Sequence, residues 1–554
     1  MKRKYSFRVL VSVFALLLLV ASCSTPAAGP SASPSGGGSN TPSQAPGGSG
    51  TTPTQGPGST ETTPSAPNLE KTDETLVVCI SGEPVRLSCL NTSPSNNDVI
   101  VGDLLWAPLF QINYSNMEFG PGLATHYDEI DETHYRIFLR KDACFEDGTP
   151  VTAEDCVWTL KQYASTGAVQ FANYLDADGI IVEDEHTFVI AYKTFTTGWQ
   201  YGLTREGMHS EAMVEAAGGL EAMDKNPGMT CGRYKFTEWV TGQYILCERN
   251  ENYWDENYVG YYKYIKFIFV GDVTSRLMAV QSGDANVALS LPMSMVLPLE
   301  NDPNVDPAYT SFPGFHNLVF YNVSEGPFAD PKLREAVNYM IDANAMLAVV
   351  NMGYGKLVQG YFEPPENPYY FEYYPGGVHP FDPEKGKQLM AEAGYTDTVS
   401  VYLPCLPTAE ALAVIVKENL RAANIDVQIE VLDTSVNVQY LRNGNYDMHI
   451  ATAGYPGMSA DIFERLNPNF VGRVNGGCRT SDPALTELIN KARSSDPVKA
   501  KEGVKETMTY VYENNLIRGL MTNFDCHVVS KGLDGLRPLS RAAQISLAYL
   551  SPAA

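Results

Sequence analysis

The chain has 554 residues, with 64 acidic side chains against 39 basic ones and a formal net charge of −25. A balance this acidic makes nucleic acid and anionic lipid surfaces poor partners, because both carry negative charge. The length also exceeds what one hydrophobic core usually serves, so the body of the chain is expected to form at least two lobes.

Residues 1–22 read as an export signal. Four basic residues come first, and the apolar run at 9–20 is too short to span a bilayer as a permanent helix. The run closes with VASC, and this resembles the lipobox at which bacterial lipoproteins are cleaved and acylated on the new N-terminal cysteine. The resemblance implies a lipid on Cys23 and a place on the outer face of the cell membrane. The alternative is an ordinary cleavage site with a chance cysteine.

Residues 23–73 join this cysteine to the body of the protein. Between 24 and 68 the chain is built almost wholly from Ser, Thr, Pro, Gly and Ala, and Glu61 is its only charge. Such a segment cannot bury enough apolar surface to offset the entropy of ordering, so it is predicted to be a disordered tether. Nine cysteines follow Cys23, and an odd number cannot pair completely.

The first half of the body combines strands with one well-marked helix. Strands are predicted at 74–80, 135–139, 242–249 and 261–269 from their apolar and aromatic content. Thr152 can cap a helix over 153–163, with Asp155 in the third position of a capping box. The residues at helical spacing that should face the core are Cys156, Val157, Leu160 and Tyr163.

The second half begins with two Asp-Pro helix starts, at Asp330 and Asp382. Strands and helices then alternate, which favours crossover units and a parallel sheet. In such sheets ligands bind beyond the carboxyl ends of the strands. The alternating segments are 399–403, 410–422, 425–432, 436–442 and 446–453.

The loop at 454–461 follows the last of these strands. Gly454 lets the backbone approach a ligand closely, and Tyr455 offers a flat apolar face with a polar tip. The alternative interpretation is an ordinary strand-to-helix connection. Enzyme motifs give no competing site, because the chain has no nucleophile elbow, no His-Glu-x-x-His, no phosphate-binding loop and no dinucleotide fingerprint. We therefore expect no cofactor, no metal and no catalysis.

The segment FEDGTPVTAEDCVWTLKQY at 145–163 resembles the most recognisable stretch of the family 5 extracellular solute-binding proteins, the peptide- and nickel-type receptors of ABC importers. The family pattern is matched except that Cys156 stands in place of valine. The resemblance extends in order and at family spacing from residue 74 to about 538. Its other segments are WAPLF (106–110), GLATHY (122–127), GRYKFTEWVTGQYILCERNENYW (232–254), RLMAVQSGDANVAL (276–289), PFADPKLREAVNYMID (327–342) and FDPEKGKQLMAEAGY (381–395).

This resemblance implies an α/β fold of the two-lobed periplasmic-binding-protein type (type II), with an extra subdomain in lobe one and a ligand cleft between the lobes. It places lobe one at 74–311, lobe two at 312–523, and a return to lobe one at 524–554. Proteins like it capture a small solute, close, and dock as monomers on a membrane permease driven by its ATPase. They catalyse nothing themselves.

Residues from both lobes must then contact the solute. Glu83 and Pro84 follow the opening strand, whereas Trp106 and His316 have a structural alternative, as a core residue and as a partner of a backbone carbonyl. The candidate ligand-binding residues are Gly454, Tyr455, Met458, Asp461, Glu83, Pro84, Trp106, Phe315, His316 and Asn317.

One departure from the family pattern leaves the solute open. Peptide receptors of this kind commonly show Gly-Trp-x-x-Asp, whose carboxylate pairs with the peptide ammonium, but Met458 stands at that position. Asp461 or Glu83 is expected to substitute if the ligand is a peptide. The alternatives are an oligosaccharide, a nickel chelate or another small solute. A surface sensor or adhesin with the same fold, and an extracellular hydrolase, are the hypotheses from other classes.

Overall fold

The computed structural model describes most of the body of the chain and none of residues 1–70. Cys23, the export signal and most of the tether therefore lie outside the described residues. Among the described residues, no helix is long and apolar enough to cross a membrane. The described residues are 71–91, 95–113, 118–167, 169–195, 199–255, 260–310, 315–362, 369–454, 465–466, 477–522, 525–538 and 545–553.

A seven-stranded sheet, called the large sheet, begins the fold. Its central strand, Thr72–Ile80, buries the adjacent residues Val78 and Cys79 completely, as expected for a strand covered on both faces. This strand runs parallel to Tyr262–Phe269 on one side and to Val287–Leu291 on the other. In spatial order the strands are Val305–Thr310, Asp525–Ser530, Val287–Leu291, Thr72–Ile80, Tyr262–Phe269, Tyr244–Arg249 and Tyr234–Val240.

The C-terminal part of the chain completes this sheet. The strand Asp525–Ser530 lies between Val287–Leu291 and Val305–Thr310 and is antiparallel to both. Farther along, the Ser546 hydroxyl donates a hydrogen bond to Asp103 at 2.6 Å. The last segment is therefore attached to the part of the fold that the first strand begins.

The predicted helix at 153–163 is confirmed and extends to Ala153–Thr166. Both bonds of its capping box form: the Asp155 amide donates to the Thr152 hydroxyl at 3.3 Å, and the Thr152 amide donates to the Asp155 carboxylate at 2.8 Å. Gly167 ends the helix in the left-handed conformation with φ of 60°. The residues predicted to face the core, all buried, are Cys156, Val157, Leu160 and Tyr163.

Four antiparallel strands form a second sheet, called the four-stranded sheet. Its inner face joins the same hydrophobic core as the large sheet, and Tyr135 stacks on Trp199 with ring centroids 4.1 Å apart. The edge strand Ala124–Glu129 is exposed beyond its first residue. In spatial order the strands are Ala124–Glu129, His134–Leu139, Thr187–Ala191 and Ile181–Asp184.

Three antiparallel strands form the small sheet. Phe315–Tyr321 is its central strand, with Met448–Gly454 on one side and Ile517–Thr522 on the other. The chain passes from the large sheet to the small sheet between 310 and 315, and it returns between 522 and 525. These two passages are called the crossings. The residues before the first crossing and after the second build the large and four-stranded sheets. The residues between the crossings build the small sheet.

Beside the small sheet, Val399–Cys405 and Ile425–Val431 form a parallel pair joined by the helix Glu410–Arg421. The predicted parallel arrangement is confirmed for this pair. The next strand of the alternation, Met448–Gly454, instead pairs antiparallel in the small sheet, because its partner comes from outside the alternating segments. Within Ile425–Val431 the burial of every second side chain ends before the last residue, since Val431 is 41% exposed.

Both Asp-Pro helix starts are confirmed. Asp330 accepts a hydrogen bond from the Lys332 amide at 2.9 Å, and Asp382 accepts one from the Lys385 amide at 3.0 Å. These caps satisfy amides that have no partner within the helix. Among the described residues, the helices of six residues or more are Asn96–Leu105, Ala153–Thr166, Glu211–Ala216, Val273–Ser282, Pro331–Met340, Ala343–Val350, Pro383–Glu392, Glu410–Arg421, Thr434–Asn443, Pro483–Ala492 and Pro497–Glu513, together with the 3₁₀ helix Trp199–Thr204.

All nine cysteines of the body lie within the described residues, and none of them forms a disulfide there. Seven are buried, including Cys156, which was predicted to face the core, and Cys247. Burial raises the pKa of Cys247 and so keeps this thiol protonated and unreactive. The cysteines therefore act in the core as small apolar side chains.

Candidate functional site

Candidate residues from two distant parts of the chain meet at one end of the small sheet. The carboxyl end of Met448–Gly454 lies beside the start of Phe315–Tyr321, and Gly454 pairs with Phe315 in the register. Both crossings reach the small sheet at this end, because one leads into Phe315 and the other leaves from Thr522. This end of the sheet therefore lies where the chain passes between the two groups of sheets.

His316 and Asn317 continue from this end into the sheet. They are 1% and 7% exposed, and Asn317 accepts a hydrogen bond from the Thr452 hydroxyl at 3.2 Å. In the register His316 pairs with Thr522 on its other side. The Asn317 side chain is thus held by the neighbouring strand, and His316 is buried between the two strands that flank its own. Thr452 and Thr522 were missed by the sequence analysis, because only strand pairing identifies them as neighbours of the candidate residues.

Glu83 and Pro84 lie just beyond the carboxyl end of the central strand of the large sheet. Pro84 is buried, and the Glu83 carboxylate accepts hydrogen bonds from Trp239 Nε1 at 2.7 Å and from the Gly242 amide at 3.1 Å. Lys225 Nζ lies over the same indole, 3.5 Å from the Trp239 ring centroid, and forms a cation–π interaction with it. Glu83 therefore holds the hairpin between Tyr234–Val240 and Tyr244–Arg249, and each of its oxygens already accepts one bond.

Trp106 makes the contacts of a core residue. It is 7% exposed, and its Nε1 donates a hydrogen bond to the Leu87 carbonyl at 2.8 Å. Its ring lies 3.9 Å from that of His209, whose pKa burial lowers to about 3, so the imidazole is neutral. A Cβ at Gly207 would come within 2.1 Å of the Trp106 Cβ, so only glycine fits against the indole.

The other candidate residues lie outside the described residues. These are Tyr455, Met458 and Asp461 in the loop, together with the acylation site Cys23. Their roles remain predictions. No group of three or more His, Cys, Asp and Glu side chains that could hold a metal ion occurs among the described residues.

Two tyrosines near the first crossing were not foreseen. Tyr309 ends the large-sheet part of the chain, and Tyr354 follows the helix Ala343–Val350; their rings stack with centroids 5.4 Å apart at 23°. Burial raises the pKa of Tyr309 to about 12, so its hydroxyl stays protonated. The two residues are distant in the sequence, so no local signal could have paired them.

Comparison with known proteins decides the family. The family described as "Bacterial extracellular solute-binding proteins, family 5 Middle" matches residues 118–470, which is more than half of the chain. The chain belongs to the family 5 extracellular solute-binding proteins. The protein is therefore a non-enzymatic receptor, which binds a solute for transport and does so outside the cytoplasm. The family membership expected from the sequence is confirmed.

Individual relatives agree with this assignment. The glutathione-binding protein GsiB of Pectobacterium atrosepticum is 23% identical over 70% of this chain and 77% of its own length. Among solved structures, the oligopeptide-binding protein AppA of Bacillus subtilis, in complex with a nonapeptide, superposes with a TM-score of 0.73 at 18% identity, over 88% of this chain and all of that one.

A second solved structure carries a different ligand on the same fold. NikA of Brucella suis, in complex with Fe(III)-EDTA, superposes with a TM-score of 0.73 at 20% identity, over 87% of this chain and all of that one. The expected two-lobed periplasmic-binding-protein fold of mixed α/β class is confirmed by these neighbours. Because the ligands of the two neighbours differ, the fold does not choose the solute.

Proposed function

We propose that this receptor captures a short peptide, a dipeptide or an oligopeptide, between two lobes that are separated by the crossings. Lobe one is assigned to 74–311 with 524–554, and lobe two to 312–523. The observation that carries the proposal is the meeting of Gly454 with Phe315 at the end of the small sheet where both crossings arrive. The names of the relatives that bind glutathione and a nonapeptide support a peptide as the solute.

Capture follows from a difference in affinity between two conformations. A receptor whose closed form is a minor state closes only to the extent that the ligand binds that form more tightly. The ligand must therefore touch both lobes, for which the loop at 454–461 and the residues after Thr72–Ile80 are the proposed contributors. Closure also removes the ligand from water, which strengthens its hydrogen bonds.

Asp461 is the proposed partner of the peptide ammonium. Met458 occupies the position at which related receptors carry a carboxylate, and a buried ammonium without a partner is costly. Glu83 is the less suitable substitute, because its carboxylate already accepts bonds from Trp239 and Gly242.

Asp461→Asn is expected to weaken the binding of peptides with a free amine about 10- to 100-fold, because a hydrogen bond to a charged group contributes about 1.5 to 3 kcal/mol. Calorimetry with one peptide and its N-acetylated form measures the effect. The acetylated peptide is the control, since it has no ammonium to lose, and Glu83→Gln tests the other acid. Equal affinity of parent and variant for the free peptide would remove Asp461 from the site.

Delivery to an ABC permease and anchoring through acylated Cys23 belong to the same proposal, with the receptor acting as a monomer on a tether of residues 23–73. Native mass spectrometry of protein purified from its own host tests the ligand and the anchor together. We expect the mass of a retained peptide on the folded protein and the added mass of acyl chains after denaturation. Retained saccharide would replace peptide as the solute. A Cys23 without acyl chains, or a mass showing that the mature protein begins at another residue, would refute the anchor.

A further inference from the structure

Besides the Tyr309–Tyr354 stack near the first crossing, two contacts among the described residues connect the parts of the chain that the crossings separate. The first joins the turn after the helix Pro483–Ala492 to the four-stranded sheet: the Ser495 hydroxyl donates a hydrogen bond to Glu132 Oε1 at 2.5 Å. Glu132 lies in the turn between Ala124–Glu129 and His134–Leu139. The two residues are 363 positions apart, so the bond links the two parts only through the fold.

The second contact lies in the same turn, two residues earlier. The guanidinium carbon of Arg493 lies 5.3 Å from the ring centroid of Tyr174, within the range of a cation–π interaction. Tyr174 is 2% exposed and belongs to the core shared by the large and four-stranded sheets. Arg493 therefore covers a tyrosine ring that the other part of the chain supplies.

Both sides of these contacts are held in place by their own surroundings. On the side of Glu132 and Tyr174, the Tyr135 hydroxyl donates to the Glu132 carbonyl at 3.0 Å, and the Lys193 amide donates to the Tyr174 carbonyl at 2.8 Å. On the side of Arg493 and Ser495, the Arg493 amide donates to the Asn490 carbonyl at 3.2 Å. These bonds fix the backbone on each side of the contacts, so little further backbone ordering is needed when the two sides meet.

We propose that the Glu132–Ser495 and Tyr174–Arg493 contacts form a latch that stabilises the closed receptor and thereby sets its affinity. The backbone joins the two parts at the crossings, and no disulfide joins them among the described residues, so the proposed latch opens when the two parts rotate away from each other about the crossings. The apparent dissociation constant equals the intrinsic one divided by the fraction of closed protein. The inference rests on the proposed function only in that the ligand binds between the lobes.

The latch residues act as positioning residues, because they hold the lobes without touching the ligand. Arg493→Met keeps the aliphatic length of the side chain and removes its charge, and Ser495→Ala removes the hydroxyl. The double variant is expected to favour the open form by about 5- to 50-fold, from the usual strength of one cation–π contact and one hydrogen bond to an exposed carboxylate. High salt should produce part of this effect in the parent protein, since the carboxylate contact is exposed to solvent.

Small-angle X-ray scattering and hydrogen exchange of the ligand-free protein test the latch directly. We expect a larger radius of gyration in the double variant and faster exchange in the segments around 170–174 and 493–495. Arg421→Ala is the matched control, because within the described residues this exposed arginine forms its ion pair with Glu418 on its own helix. Scattering and exchange that match those of the parent would overturn the latch.

The affinity arm uses a pooled library of tri- to pentapeptides in calorimetry. The double variant is expected to bind about 5- to 50-fold more weakly than the parent and the Arg421→Ala control, with an unchanged midpoint in urea unfolding. If the parent binds no peptide, the proposed solute fails, while scattering and exchange still decide the latch. Equal affinity with altered scattering would separate the latch from affinity and refute that part of the inference.

Discussion

Arg518→Met is expected to lower the free energy of unfolding by about 3 kcal/mol, because it leaves several buried carbonyl groups without a donor. Arg518 lies in the strand Ile517–Thr522 and is 1% exposed. Its hydrogen bonds within the described residues all go to carbonyl oxygens. These are the carbonyls of Asn338 at 3.2 Å, Gly519 at 2.7 Å, Ile341 at 3.3 Å and His379 at 3.4 Å.

Two of these acceptors explain why a cation is buried there. Asn338 lies in the last turn of the helix Pro331–Met340, and Ile341 is its C-terminal cap. Carbonyls at this end have no partner within the helix and carry the negative end of its dipole, so Arg518 satisfies them with both hydrogen bonds and charge. The sequence-predicted helix therefore depends on a strand that begins about 180 residues later.

The size of the effect follows from two opposing contributions. Burial lowers the pKa of Arg518 to about 10, so removing the charge recovers roughly 3 kcal/mol of desolvation. Four buried acceptors left unsatisfied cost about 1 to 3 kcal/mol each, and together they exceed that gain. The cost of the lost donors is therefore larger than the recovered desolvation energy, and the net change is destabilising.

Urea unfolding followed by circular dichroism measures this prediction. Arg518→Lys is the matched variant, because it keeps the charge but cannot reach all four carbonyls, and it is expected to lose about half as much stability. Arg421→Ala, at an exposed position, should change stability by no more than about 0.5 kcal/mol. A methionine variant as stable as the parent would show that the acceptors find other donors.

Acidification from pH 7 to pH 5 is expected to destabilise the protein by several kcal/mol, well before its carboxylates are fully protonated. Burial lowers the pKa of four histidines to about 3, and they are His209, His379, His449 and His527. In the unfolded chain these groups titrate near 6.5. Between pH 6.5 and pH 3 the unfolded state therefore binds more protons, and stability falls as the pH falls.

Each such histidine contributes a slope of up to about 1.4 kcal/mol per pH unit, which gives roughly 2 kcal/mol at pH 5. Four buried carboxyls oppose part of this loss, because burial raises the pKa of Asp103, Glu146, Asp224 and Asp447 and protonation at low pH relieves them.

His449 provides the sharpest single test of this pH dependence. It is 1% exposed, stacks on Phe320 with ring centroids 5.3 Å apart, and neither of its ring nitrogens has a hydrogen-bond partner among the described residues. His449→Leu is therefore expected to retain about 2 kcal/mol more of its neutral-pH stability at pH 5 than the parent. Parallel curves of stability against pH for the parent and His449→Leu would contradict the assignment.

The local features of the fold were predictable because their partners are close in the sequence. The capping box of Thr152 and Asp155 spans four residues, and the caps at Asp330 and Asp382 bond to amides two or three residues away. A local pattern contains both partners of such a bond. The buried stripe of the helix Ala153–Thr166 was predictable for a similar reason, since helical spacing alone fixes which residues share a face.

Contacts between distant residues were not predictable in this way. Trp106 was a candidate for the ligand site, yet its indole bonds to Leu87 and packs against His209. Glu83 was a candidate partner for an ammonium, yet its carboxylate bonds to Trp239, 156 residues away. A side chain that suits a ligand also suits the interior, and only the folded chain shows which neighbour it meets. The roles of Tyr455, Met458 and Asp461 stay predictions.

The sequence by itself determined the acidic charge that excludes polyanionic partners, and the helix boundaries with their caps. Seven segments that follow one another in the order of the family also gave the resemblance to solute-binding proteins, which the comparisons confirmed. The tertiary structure alone decided that Met448–Gly454 pairs antiparallel with Phe315–Tyr321, and that Arg493 reaches Tyr174 across the crossings. The physical reason is the range of the interactions. Caps and amphipathic stripes involve neighbours within one or two helical turns, whereas strand register and contacts between lobes depend on where the whole chain places its distant parts.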